Sequence, residues 1–200
     1  MSGGAVLIEL SNLQQLVLDV AKIERNHNIP GDTRHENVVE HSFAVALLCW
    51  KLHSTIKHDL DIEKIFKYCV AHDFLERGLK KDVNTYADEN TRQTKKDREA
   101  LELIKLADEF SDFPDLISVI KNYERAADEE SRFVWTVDKM QAIILGEIDN
   151  WRPYERVGIT HKQFCEKGDE FMKKCPTCLK PTLELLNRHS REVFYDQPKP

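Results

Sequence analysis

Apolar residues recur at helical spacing through most of the chain, and three of the resulting stripes carry an ionisable residue. The helices with these stripes are predicted to span residues 37–57, 62–77 and 131–150. His41 lies on the first stripe, Asp73 on the second and Asp138 on the third, and Asp61 is predicted to cap the second helix. The apolar members predicted to face the core are Val38, Val45, Leu48, Leu52, Ile62, Ile65, Phe66, Cys69, Val70, Val134, Val137, Ile144, Leu145 and Ile148.

The same spacing predicts further helices over residues 7–23, 97–110, 111–125, 160–174 and 182–193. In the first two of these, the predicted inward positions include Leu10, Leu16, Val17, Leu101, Ile104 and Leu106. The polar segments 25–35 and 80–96 have no period and are predicted to be loops. The chain is therefore predicted to be all-α, a compact orthogonal helical bundle. Residues 1–156 would form its core, and residues 157–200 a helical extension packed on the same domain, with the last residues disordered.

Composition excludes several functional classes and leaves the predicted fold unchanged. Glycine and proline number only seven each, which argues against many short strands, and the net charge of −6 gives no basic patch for nucleic acid. No apolar run is long enough to cross a bilayer, and the N-terminus lacks a basic secretory segment. Five cysteines are an odd number, which argues against a disulfide framework. We therefore expect a cytoplasmic protein without nucleic-acid or membrane partners.

The ionisable residues on apolar faces are the strongest chemical signal in the sequence. An ionised carboxylate that is buried without a partner is costly, yet Asp73 and Asp138 both occupy predicted core positions. One inward histidine is more often an ordinary core residue, but His41 and His72 accompany these aspartates. Imidazole and carboxylate ligands together suit Co²⁺, Mn²⁺, Fe²⁺, Ni²⁺, Zn²⁺ or, less well, Mg²⁺. We predict that the four side chains hold one divalent metal ion and leave positions open for water and substrate.

The residue sequences of these motifs resemble those of a known family. Glu36-Asn37-Val38-Val39-Glu40-His41-Ser42, the pair His72-Asp73 and the later Asp138 together resemble the HD-domain metal-dependent phosphohydrolases. With Glu76 completing a His-Asp-x-x-Glu sequence, they resemble more narrowly the 5'-deoxynucleotidase branch. The resemblance covers residues 7–150. It implies the HD-domain fold, with metal ligands at positions 41, 72, 73 and 138.

The resemblance also implies roles for residues around the metal. Glu76 would be the general base or acid that handles the attacking water. An acidic residue in the following loop of the family is matched by Asp82, although the glycine that precedes it in the family is absent here.

Phosphate-binding residues are implied as well. The family has an arginine before its first histidine, for which Arg34 and Arg25 are both candidates, and Lys139 is a further candidate for phosphate contact. A solvated surface position is the alternative for all three. Glu40 could orient a histidine ligand.

The implied activity is hydrolysis of deoxynucleoside 5'-monophosphates to deoxynucleoside and phosphate by a homodimer. A triphosphohydrolase of the same fold is an alternative, although it would need more basic residues for three phosphates. A hydrolase of guanosine-based alarmones would read His-Asp-x-x-Glu-Asp, and Arg77 stands at that last position, which counts against it. A non-catalytic, metal-stabilised binding protein is the remaining alternative.

Overall fold

The computed structural model describes residues 3–79, 83 and 85–195. Within these residues the protein is built from nine α-helices, one 3-10 helix and one short hairpin. The α-helices are α1 Gly3–Val20, α2 Val38–Thr55, α3 Ile62–Ala71, α4 Glu89–Glu109, α5 Pro114–Glu124, α6 Glu129–Ile148, α7 Arg152–Val157, α8 His161–Lys174 and α9 Lys180–Tyr195. The 3-10 helix is Phe74–Gly78, and the hairpin strands are β1 Glu24–Asn28 and β2 His35–Asn37. The predicted all-α fold class is confirmed.

Side-chain caps explain where the helices that carry the site begin. The Asn37 side chain accepts hydrogen bonds from the backbone N–H groups of Val39 and Glu40, and the Glu40 carboxylate accepts one from the Asn37 N–H. This capping box fixes the start of α2 a single turn before His41. Asp61 caps α3 as predicted, with its side chain accepting from two N–H groups of the first turn.

Helix α3 is shorter than the sequence pattern predicts. It ends at Ala71, and Asp73 takes a non-helical conformation with φ −107° and ψ 12° before the 3-10 helix begins. The predicted continuous helix to Arg77 is therefore wrong. Because of this break, His72 and Asp73 follow the end of α3, where their two side chains are directed into the same space.

The segment predicted as a loop between α1 and α2 is an antiparallel hairpin. Strand β1 pairs with β2 through Glu24 with Asn37 and Asn28 with His35, and the register is irregular between these pairs. Nδ1 of His35 also lies 2.7 Å from the carbonyl oxygen of Arg25. The strands are almost entirely polar and lack the alternation that marks a half-buried strand, which explains why the sequence pattern missed them.

Two main apolar clusters form the core, and the C-terminal residues belong to one of them. Val45 and Phe133 share a buried cluster with Phe171, Leu179 and Leu183, so α8 and α9 pack on the same core as α2 and α6. A second cluster joins α1, α4, α5 and the 3-10 helix. The predicted disordered tail, from Asp196 onward, lies outside the described residues.

Several apolar residues that were predicted to face inward are on the surface. On α4, Leu101 and Ile104 are 60% and 68% exposed, whereas Leu106 is buried. The helix begins at Glu89 rather than near Asp97, because Asp88 caps it within the segment predicted as a loop. Five further residues that the stripes predicted to face the core are exposed: Leu10, Val17, Phe66, Val70 and Ile148. Among the described helices, none has the length and apolar character needed to cross a membrane.

Candidate metal centre and cavity

Three of the predicted ligands meet at the buried junction of α2 with the end of α3. One ligand atom from each of His41, His72 and Asp73 lies within 4.8 Å of the others. Oδ2 of Asp73 is 3.6 Å from Nε2 of His41 and 3.3 Å from Nε2 of His72. Both histidine side chains are fully buried. The imidazole groups therefore share one carboxylate oxygen at the centre of the cluster.

Asp138 approaches the same centre from α6. Its Oδ1 atom lies 3.0 Å from Nε2 of His41, and its Oδ2 atom accepts a 2.7 Å hydrogen bond from Nζ of Lys139. The structure thus brings all four predicted ligands together. Within this group Asp138 contacts His41, whereas Asp73 lies close to both His41 and His72.

Burial and mutual charge set the protonation of this cluster. Burial, reinforced by Arg25, lowers the pKa of His41. Burial also disfavours charge on His72, but the Asp73 carboxylate outweighs it and raises the pKa of His72 to about 9. Burial raises the pKa of Asp138, yet Lys139 and His41 bring it well below its usual range. The carboxylates are therefore ionised, and a bound cation would displace the proton from His72.

The hydrogen-bond partners of the two imidazoles fit a bound cation. Nδ1 of His72 donates to the carbonyl oxygen of Cys69 over 2.9 Å, and Nδ1 of His41 faces Oε1 of Gln141 at 3.1 Å. Both Nε2 atoms are buried without a partner in hydrogen-bond geometry. In neutral imidazoles their lone pairs face the oxygens of Asp73 and Asp138, an arrangement that a divalent cation stabilises.

A cavity opens from this cluster toward the hairpin and α7. Asp73 and Asp138 line its inner end, where three basic side chains also reach it: those of Arg25, Lys95 and Lys139. Its other walls are mainly apolar and aromatic, and are formed by Tyr86, Ala142, Ile143, Pro153, Tyr154, Val157, Ile159 and Phe171. The cavity therefore offers a charged inner end and an apolar arm.

Glu76 lies at the inner end of the cavity, as its predicted role requires. It is 3% exposed, and its Oε1 atom accepts a 3.1 Å hydrogen bond from Nζ of Lys95. Oε1 of Glu99 lies 3.4 Å from the same ammonium group. Lys95 cannot be identified from the sequence, because it belongs to a polar segment without apolar spacing, where nothing distinguishes it from Lys96.

The arginines proposed for phosphate binding occupy different environments. Arg25 is 11% exposed, and its guanidinium contacts Asp73 through Nη1 at 3.2 Å and Glu36 through Nε at 3.5 Å. Arg34 is 51% exposed and forms a bidentate ion pair with Glu40 at 2.8 and 2.7 Å.

Two sequence-based expectations change as a result. Arg34 does not line the cavity, because Glu40 holds its guanidinium at the surface end of α2. Glu40 itself contacts Arg34 and the α2 cap, and not a histidine, so the orienting role expected of it is not observed. The other predicted catalytic residue, Asp82, lies outside the described residues.

The width of the apolar arm depends on the packing of α7 against α6. A Cβ atom at Gly146 would lie 2.6 Å from Cε2 of Tyr154, which is closer than real contacts allow. Tyr154 also packs edge-to-face on Trp151 and Phe164, with ring centroids 5.2 and 6.0 Å apart. Only glycine at this position lets the Tyr154 ring lie directly on α6.

Comparisons with known proteins agree on the fold. A family model described as HD domain matches residues 20–178. A crystal structure of a predicted metal-dependent phosphohydrolase from Magnetospirillum magnetotacticum MS-1 aligns with a TM-score of 0.74 at 17% identity, covering 95% of this chain and 99% of the other. The PH0347 protein from Pyrococcus horikoshii OT3 aligns with a TM-score of 0.64 at 22% identity, covering 90% and 98%.

A third solved structure is similar, a conserved hypothetical protein from Pyrococcus furiosus, with a TM-score of 0.63 at 24% identity, covering 88% of this chain and 98% of the other. No curated protein matches the chain. At these identities the structural likeness establishes the fold alone, so the chemistry must be argued from the side chains described above.

Proposed function

The chain belongs to the HD-domain family, and from this premise we propose that it is a metal-dependent phosphohydrolase acting on deoxynucleoside 5'-monophosphates. The observation that supports the proposal best is the convergence of His41, His72 and Asp73 around one buried point, with Asp138 beside it. The narrower substrate class rests on the likeness of the motifs to the 5'-deoxynucleotidase branch. The name given to the Magnetospirillum protein agrees with the broader class.

The inner end of the cavity provides groups suited to phosphate and water. The four ligands would hold one divalent cation, which lowers the pKa of water and polarises a phosphate oxygen when bound. Glu76 would accept a proton from the attacking water, and its hydrogen bond from Lys95 supports this role by holding the carboxylate at the inner end of the cavity. Arg25 and Lys139 bring positive charge to the same end, where a phosphate monoester carries its negative charge.

The apolar arm supports a substrate with a flat, weakly polar group attached to the phosphate. Tyr86 and Tyr154 stand with their ring centroids 6.3 Å apart in edge-to-face geometry, and Ile143 and Val157 complete the walls. A nucleobase would bury its faces against such walls. Three basic side chains at the inner end suit one phosphate group better than a triphosphate, which favours the monophosphate over the triphosphate alternative.

The test is phosphate release from a panel of nucleoside mono-, di- and triphosphates, with Co²⁺, Mn²⁺ and Mg²⁺ supplied in turn. We expect inorganic phosphate only from deoxynucleoside monophosphates, and loss of activity in Glu76→Gln with the metal content unchanged. Release of triphosphate would support the triphosphohydrolase alternative. A metal-loaded protein that is inactive on every substrate would support the binding-protein alternative and overturn the proposal.

We also propose that the protein forms a homodimer through the α2–α3 surface, defined as Phe43, Leu47, Trp50, Phe66 and Val70. These side chains lie on neighbouring helices, and Phe43, Trp50 and Val70 are 73%, 59% and 59% exposed. The rings of Trp50 and Phe66 are 6.4 Å apart, so the residues form one apolar patch. A patch of this kind on two copies is self-complementary about a twofold axis, which makes a second copy the partner that we propose.

A further inference from the structure

We propose that Arg156 is a positioning residue, which ties α7 to β1 and so sets the width of the apolar arm of the cavity. The inference rests on the proposed function for the identity of the substrate, whereas the contact is a property of the protein alone. Nη2 of Arg156 donates to the carbonyl oxygen of Asn26 over 2.7 Å, and Nη1 donates to Oδ1 of Asn28 over 2.9 Å. One guanidinium group therefore holds two residues of β1 at once.

The two elements that Arg156 joins are both walls of the cavity. Strand β1 contributes Asn26 and His27 to the lining, and α7 contributes Pro153, Tyr154 and Val157. The rings of His27 and Tyr154 meet edge-to-face, with their centroids 6.1 Å apart. Because both elements border the same space, a change in their separation changes the room that the arm offers to a substrate.

Helix α7 is too short to hold its own position. It has six residues, fewer than two turns, and it is bounded by left-handed residues at both ends, Trp151 with φ 60° and Gly158 with φ 68°. A helix of this length depends on contacts with the rest of the protein. On the side of α6 the contact is the Tyr154 ring lying on Gly146. On the side of the hairpin, Arg156 supplies the polar contact.

The geometry of the contact suits arginine in particular. A guanidinium group presents its N–H donors from separate nitrogens in a planar fork, so it can reach two acceptors that lie side by side on a strand. A lysine ammonium group carries all its donors on one atom. Arg156 is exposed and does not line the cavity, so its effect on a substrate has to pass through the two walls that it joins.

The kinetic test compares two phosphomonoesters that differ only in the group proposed to occupy the arm. Deoxyadenosine 5'-monophosphate carries a base, and deoxyribose 5-phosphate does not. At saturating metal, Arg156→Ala should raise KM for the nucleotide about 3–10-fold with kcat unchanged, the size expected when exposed hydrogen bonds are lost. KM for deoxyribose 5-phosphate should keep its wild-type value. An equal rise for both substrates, or a rise for neither, overturns the proposal.

Two further variants separate this contact from general damage to α7. Arg156→Lys keeps the charge and one donor group and should recover part of the lost affinity. Asn28→Ala removes one of the two acceptors, so it should raise KM for the nucleotide less than Arg156→Ala does. In the Arg156→Ala background it should add nothing, because substitutions that remove the same contact are not additive. Additive effects of the two substitutions would contradict the proposal.

A control is needed for the loss of a positive charge. Lys162→Ala removes an exposed cation of α8 that pairs with Glu166 on the same helix, and it should leave KM for the nucleotide unchanged. A rise equal to that of Arg156→Ala would mean that net charge alone produces the effect, and would count against the role given to Arg156.

Hydrogen exchange measures the contact without any substrate. In the ligand-free protein, the backbone amides of residues 152–159 should exchange faster in Arg156→Ala than in the wild type, with Arg156→Lys between them. Unchanged exchange in this segment would refute the tie, whatever the activity of the variant. A wild type that releases phosphate from neither ester would remove the proposed function, and the exchange result would then still decide whether Arg156 holds α7 in place.

Discussion

The ammonium group of Lys95 lies 3.1 Å from Oε1 of Glu76, so a basic residue of α4 meets the proposed catalytic carboxylate at the inner end of the cavity. Glu99, one turn further along α4, lies 3.4 Å from the same ammonium group and holds it in place. The contact orients Glu76 and adds a positive charge beside the position proposed for phosphate.

Replacing Lys95 with methionine should reduce kcat/KM by about 10–100-fold, the size expected when a hydrogen bond between charged groups is lost. Phosphate release at saturating metal measures the effect. Lys96→Met is the matched control because Lys96 is the exposed neighbour on the same helix, and it should behave as the wild type. Equal activity of the two variants would refute the role given to Lys95.

Substitutions of Arg25 and Arg34 should have different effects on the kinetic constants. Arg25→Ala removes a cavity-lining cation and a contact to Asp73, so we expect KM to rise and metal affinity to fall, each by roughly 10-fold or more. Arg34→Ala removes surface ion pairs with Glu40 and Asp32 and should leave KM unchanged. A rise in KM for Arg34→Ala alone would show that phosphate binds at the surface end of α2 instead.

Metal removal should destabilise the folded protein. A ligand present at 100 times its dissociation constant stabilises by about 2.7 kcal/mol, which corresponds to roughly 5–10 °C in Tm for a chain of this size. Thermal melts before and after chelation measure the difference. His72→Ala should melt at the same temperature with and without added metal, whereas the exposed His161→Ala should keep the wild-type response. A metal-dependent shift that persists in His72→Ala would place the ion elsewhere.

Protonation of Asp128, the N-cap residue of α6, should destabilise the folded protein in acid. Burial raises the pKa of Asp128, but hydrogen bonds from Tyr68, Ser131 and Lys64 outweigh it and bring it below its usual 3.8. Because the folded pKa is depressed, the stabilisation is present above pH 3.8 and is lost as pH falls through the folded pKa.

Asp128→Asn keeps a good cap residue but removes the charge. It should cost about 1–2 kcal/mol in the free energy of unfolding at pH 7. Urea titrations at several pH values should show the difference from the wild type shrinking below pH 3.8. Asp61→Asn, the corresponding change at the exposed cap of α3, should cost less at pH 7. A deficit that is independent of pH would mean that the charge of Asp128 does not contribute.

The α2–α3 surface predicts the behaviour of one further pair of variants. Leu47→Glu places a charge in the centre of that surface and should convert the dimer to a monomer in sedimentation experiments. Leu101→Glu is the control, because Leu101 is 60% exposed on α4 and outside the surface. A wild type that sediments as a monomer would end the dimer proposal.

The sequence was sufficient for those parts of the fold in which apolar spacing coincides with burial. Helices α2 and α6 form where their stripes predict them, and His41 and Asp138 are buried as predicted, although Ile148 at the end of α6 is exposed. The pattern failed on α4, where Leu101 and Ile104 are exposed, because spacing alone does not say which face of a helix the rest of the chain will cover. It failed on the hairpin for a different reason, since β1 and β2 are both polar and give no apolar alternation for a pattern to detect.

For the candidate site, too, the sequence was sufficient for some residues and insufficient for others. Spacing placed residues of the metal centre on faces that would be buried, but the partners of those residues come from segments with no pattern of their own. Glu36 and Arg25 come from the hairpin, and Lys95 comes from the polar start of α4. Their positions follow from the three-dimensional packing, which explains why Lys95 was missed and why Arg34 could not be distinguished from Arg25.

The contact between Gly146 and Tyr154 has a consequence for how the protein could acquire a different substrate preference. One added methyl group on α6 would displace the aromatic ring and reshape the arm where the larger part of the substrate is proposed to bind. The substitution would leave all four proposed metal ligands in the chain, since Gly146 is eight residues along α6 from Asp138. We therefore expect a substitution at this one position to alter the proposed substrate preference while the proposed metal ligands are retained.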